Sequence, residues 1–155
     1  YSMTRGSHND LLKETWAGGQ ALMPSLGGSV ARWCYRGLGG IRPDESGPGF
    51  KKSIIKPAVV SGLEWWEGHH DSPYGRIACN WKREGDKVSM NVTIPPNTTT
   101  TVFVPAREAK AVTESGSVIE KVKGVTFLRM ENGTAVYAVG SGTYQFQSPF
   151  SETIK

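Results

Sequence analysis

Two runs of strict alternation, joined by a tight turn, constrain this chain more than any other feature. From Arg76 to Lys82, Ile77, Cys79 and Trp81 share one parity, while Arg76, Asn80 and Lys82 share the other. From Val88 to Ile94, Val88, Met90, Val92 and Ile94 alternate with Ser89, Asn91 and Thr93. Successive side chains of a strand point to opposite faces, so this period of two builds sheets with one buried face. Arg83-Glu84-Gly85-Asp86 lies between the runs as a turn, and the pair reads as a β-hairpin.

More strands follow the same logic. Ile54 and Ile55 lie in a run from Lys52 to Lys56 that Pro57 stops, and Leu63 to His69 is an aromatic-rich strand. Pro95-Pro96-Asn97 turns the chain into a strand from Thr98 to Val104. Asn132-Gly133 marks a second hairpin, because Asn-Gly accepts the positive φ angles of a two-residue turn. Tyr144 and Phe146 alternate in the last strand. Seven to nine short strands with regularly spaced turns predict an antiparallel β-sandwich or barrel. The chain lacks strand–helix–strand alternation, so a parallel sheet is not expected.

The first forty residues differ in character. Asn9-Asp10 can cap a short helix through Leu11, Leu12 and Glu14, ended by Gly18-Gly19. Ser25 can cap a second helix, whose Leu26, Val30, Trp33 and Cys34 form one apolar face before Gly37, Gly39 and Gly40 close it. Ile41 to Phe50, with two prolines and two glycines, reads as a rigid linker. The expected organisation is therefore one or two helices in residues 1–41, then a β-sandwich over 42–155. Met3 as a start and a cut from a longer chain are both compatible with Tyr1 at the beginning.

Composition narrows the function. Charged residues make up 21% of the 155 and hydrophobic ones 37%, as in a globular domain, and the net charge of +4 is scattered. No basic stripe points to nucleic acid, and no apolar run is long enough to span a bilayer. Cys34 and Cys79 read as two buried free thiols, although a disulfide is also compatible. Adjacent His69 and His70 diverge on a strand and have no companions at ligand spacing, so neither a metal nor any cofactor is expected. A nucleophile elbow and a dinucleotide loop are both missing. Three Asn-x-Thr triplets, at Asn91, Asn97 and Asn132, read as strand and turn chemistry.

Two candidate sugar features remain. Trp65 and Trp66 are adjacent, so they face opposite ways, one into the core and one outward as a stacking platform. Glu14 lies two residues from Trp16 and just before a glycine pair, a carboxylate beside an aromatic. Glycosidases need two carboxyl groups, and the chain has no comparable partner for Glu14.

Longer strings carry a family resemblance. Trp33-x-Tyr35-x-x-Leu38-x-Gly40-Ile41-Arg42-Pro43-Asp44, Pro48-Gly49-Phe50-Lys51 and Asp71-Ser72-Pro73-Tyr74-Gly75-Arg76-Ile77 are three of them. Val92-x-Ile94-Pro95-x-Asn97-Thr98-Thr99 and Gly140-Ser141-Gly142-x-Tyr144-x-Phe146 are two more. Together they resemble the junction in bacterial α-L-rhamnosidases, where the helical catalytic barrel ends and a C-terminal β domain begins. The resemblance implies a parent glycoside hydrolase with an (α/α)6 barrel, acting on terminal α-L-rhamnose by inversion. It also implies that Glu14, in a Glu-x-Trp motif, resembles the general base, and that the acid lies in the barrel of the same parent chain. The chain departs from the family pattern at Lys13, where an aromatic is common. It departs again at Gly27-Gly28, where Asn-His often follows Ser-Leu. A non-catalytic carbohydrate-binding module is the competing expectation.

Overall fold

The computed structural model describes residues 34–150. The predicted helices before Cys34 lie outside the described residues. A short π-helical turn, Cys34–Leu38, leads into eleven strands. These are β1 (Ile41–Pro43), β2 (Lys52–Ile55), β3 (Trp65–Ser72), β4 (Gly75–Glu84), β5 (Lys87–Ile94), β6 (Thr99–Pro105), β7 (Thr113–Glu114), β8 (Ser117–Val118), β9 (Val125–Glu131), β10 (Thr134–Val139) and β11 (Gly142–Pro149). They form a five-stranded sheet in the order β1-β2-β6-β10-β9 and a six-stranded sheet in the order β3-β4-β5-β11-β7-β8. The architecture is the antiparallel-rich β-sandwich that the alternation predicts.

The inner faces of the two sheets share one core. Ile77, Cys79 and Trp81 of β4 and Met90, Val92 and Ile94 of β5 are buried from one side. Ile55, Val102, Val104, Tyr137 and Val139 are buried from the other. The rings of Tyr137 and Phe146 stack across the gap at 6.0 Å. Polar groups in the interior are paired, as burial requires. Ser53 and Thr100 share a 2.7 Å hydroxyl hydrogen bond, and the Ser148 hydroxyl donates to the Pro105 carbonyl.

The structure corrects the sequence reading in three places. Strand β2 runs parallel to β6, with Lys52 beside Thr99 and Ile55 beside Val102. No helix is needed to reverse the chain there, because β3, β4 and β5 of the opposite sheet make the crossover. Residues 41–50, read as a rigid linker, belong in part to the sheet. Ile41–Pro43 pairs with β2, and the loop beyond folds back through the Asp44 amide donating to the Lys52 carbonyl at 3.0 Å. The β4–β5 turn is tighter than a four-residue loop. Pairing continues to Glu84 opposite Lys87, leaving Gly85 and Asp86, with Gly85 at φ +56°. The Asn132-Gly133 turn has positive φ at both residues, +47° and +74°, as the two-residue hairpin demands.

Candidate functional site

Adjacent Trp65 and Trp66 take opposite faces of β3. Trp65 is 61% exposed on the outer face of the six-stranded sheet. Trp66 packs against the core. Its ring occupies a slot between Gly39 and Gly68. A Cβ built on either glycine would fall 2.1 Å and 2.2 Å from the Trp66 ring. The Tyr35 ring meets Trp66 edge-on at 6.3 Å and 88°. An indole enclosed in this way is a packing element, which leaves Trp65 as the exposed indole of the pair.

The segment that meets Trp66 is also tied down through its backbone. The Trp81 indole Nε1 donates to the Leu38 carbonyl at 2.8 Å. The amides of Lys56 and Ala58 donate to the carbonyls of Gly40 and Gly37 at 3.1 and 3.0 Å. Gly40 has φ +65°, and a Cβ there would lie 2.0 Å from the Lys56 carbonyl carbon. Only glycine accepts both that conformation and that approach. Residues 37–40 are therefore held against β3, β4 and the chain just after β2 by three hydrogen bonds and the close-packed Trp66 ring.

The histidines separate as expected. His69 is exposed, 3.7 Å from the Asp71 carboxylate, whereas His70 packs on Phe50 at 4.2 Å with the rings tilted by 33°. Arg76 donates to Asp71 at 2.9 Å, and that hydrogen bond lowers the Asp71 carboxyl below its ordinary value. Among the described residues, no three His, Cys, Asp or Glu side chains converge as metal ligands. No described helix is long and apolar enough to cross a membrane. Cys34 and Cys79 are free thiols, but only Cys79 is buried and Cys34 is half-buried; burial pushes the Cys79 thiol up to about 12, so it is no nucleophile. Glu14 and Trp16 lie outside the described residues.

One feature of the outer face was not singled out from the sequence. Glu67, Asn80, Asn91 and Gln145 stand directly opposite one another across β3, β4, β5 and β11. The signal was present in the polar parity of the alternating strands. Its alignment into a row depends on the registers that the turns set.

Comparisons with known proteins agree with the fold. Residues 40–118 match the family model described as the bacterial alpha-L-rhamnosidase C-terminal domain. An α-L-rhamnosidase of Streptomyces avermitilis is 29% identical over 119 residues, covering 77% of this chain and 11% of that protein. One from Alteromonas sp. is 33% identical over 120 residues, covering 77% of this chain and 12% of that protein. In solved structures, the Streptomyces avermitilis enzyme complexed with L-rhamnose superposes with a TM-score of 0.67 at 29% identity, over 77% of this chain and 11% of that one. The enzyme from Dictyoglumus thermophilum also gives 0.67, at 31% identity, over 79% and 13%. The chain thus spans about one tenth of the length of these relatives, 11% and 12% for the two curated ones. The matched stretch runs from Gly40 through β8, across both sheets and the fastened Gly40 turn, and on it this chain belongs to the bacterial α-L-rhamnosidase C-terminal domain family.

Proposed function

We propose that the chain is the C-terminal portion of a glycoside hydrolase that removes terminal α-L-rhamnose with inversion. In this reading residues 1–41 are the helical end of the catalytic barrel, and residues 42–155 are a β domain that supports it. Glu14 acts as general base, Trp16 lines the sugar site, and the acid comes from the barrel. An inverting site needs both carboxyl groups, one protonating the leaving oxygen and the other activating water. Glu14 alone is insufficient, so the isolated chain is inactive.

The observation that carries the supporting role is the fastening of residues 37–40. Trp66, Trp81 and the backbone of Lys56 and Ala58, just after β2, anchor the stretch of chain that leads back toward the segment bearing Glu14. A domain that fixes the entering chain can hold a catalytic segment in place without touching substrate. The coding DNA upstream of Tyr1 tests the reading. An open frame of several hundred codons with helical periodicity and clustered Asp and Glu is expected. A stop codon just before Met3 overturns it.

A further inference from the structure

We propose that the outer face of the six-stranded sheet is a binding surface for a neutral glycan, with Trp65 as its stacking platform. The inference goes beyond the supporting role and does not depend on it. Three rows of side chains cross this face. The central row runs Glu67, Asn80, Asn91, Gln145. On one side lies Trp65, Lys82, Ser89, Gln147, and on the other His69, Ala78, Thr93, Thr143. Trp65, Asn91, Gln145, Gln147 and Thr143 are all exposed.

The chemistry of these rows selects the ligand class. Side-chain amides present a donor and an acceptor together, and hydroxyls do the same, which matches the alternating demands of sugar hydroxyls. Asn80 uses its carbonyl oxygen on the Gly68 amide at 3.2 Å, which fixes its orientation and leaves its NH2 free to donate outward. The charges at the rim are largely spent on one another. Lys82 pairs with Glu84 at 2.6 Å and Arg76 with Asp71 at 2.9 Å. An anionic ligand would find little free positive charge over the central rows. Within the three rows a protein partner would find one aromatic at the edge and Ala78 as the sole aliphatic, with the exposed Val118 lying two strands beyond Gln147 on β8, whereas protein interfaces centre on apolar and aromatic anchors. Trp65, 61% exposed, offers a flat apolar ring beside the amides, suited to the C–H face of a pyranose. The central row spans three strand spacings, about 14 Å. That length accommodates an oligosaccharide of a few rings. At one end Thr93, Thr143 and Arg76 also line an open depression with Pro95 and Pro96, which continues the surface.

The test is native gel electrophoresis of the 155-residue chain through gels containing xyloglucan, galactomannan or arabinan, with a sugar-free gel as reference. Retardation by at least one polysaccharide is expected. Trp65→Ala should weaken it about tenfold through loss of the stacked ring. Asn91→Ala and Gln145→Ala should each weaken it about threefold, as lost hydrogen bonds do. Phe127→Ala, which removes an exposed ring on the other sheet, should leave mobility unchanged, and each variant's melting curve reports that it is folded. Unaltered mobility in all three gels overturns the proposal. So does retardation that persists undiminished in Trp65→Ala. None of these outcomes bears on whether the domain stabilises a hydrolase.

Discussion

Trp81, fully enclosed in the sandwich core, donates its indole N–H to the Leu38 carbonyl at 2.8 Å and so joins β4 to the chain that enters the domain. Trp81 is 2% exposed, while Leu38 at the accepting end of the bond is half-buried. Trp81→Phe keeps an aromatic ring in place but strands the carbonyl. A loss of about 1 kcal/mol in urea unfolding is expected from the missing hydrogen bond, together with a smaller packing loss. An unchanged midpoint would show that the bond does not hold residues 37–40.

The Trp66 slot gives a second handle. Gly39 and Gly68 approach one ring closely, so a methyl group on either would force the Trp66 ring to shift. Gly39→Ala and Gly68→Ala should each destabilise by about 1–3 kcal/mol, the range for overpacking a filled core. Because both glycines act through Trp66, the effects should not add. Adding Trp66→Leu to Gly39→Ala should recover part of the loss, which a double-mutant cycle by chemical denaturation measures.

Glu131 supplies a pH dependence. Its carboxylate accepts from Arg129 at 2.7 Å and from Lys56 at 3.1 Å, and these bonds hold its pKa below the ordinary 4.5. A carboxyl whose folded pKa is depressed contributes stability that is fully present above the unfolded pKa. The contribution fades as pH falls through the folded value. Glu131→Gln should therefore be less stable than the native chain at neutral pH, and the gap should close in acid. Urea unfolding of both proteins at a series of pH values checks this. A gap that stays constant into acid would mean that the ion pairs contribute nothing to it.

How much of this was legible beforehand follows from which interactions are local. The β4–β5 hairpin was readable because the period of two and the Gly85 turn lie in one short stretch. Asn132-Gly133 was readable because its φ angles demand those residue types. The parallel pairing of β2 with β6 joins residues 47 positions apart, such as Ser53 and Thr100, and leaves no local signature. The Trp66 slot was half legible. Opposite faces for Trp65 and Trp66 follow from strand geometry, but Gly39 and Gly68 meet only through tertiary packing. The row Glu67, Asn80, Asn91, Gln145 needed three registers to be known at once. Glu14 and Trp16 stay as sequence-based assignments, since they lie outside the described residues.

The supporting role is tested most directly by deleting residues 42–155 from the longer enzyme in which the account places this chain. Thermal unfolding and the kcat/KM values for several aryl α-L-rhamnosides would be compared with those of the intact enzyme. A markedly lower melting temperature is expected, with the ranking of substrates preserved. An unchanged melting temperature would contradict the account.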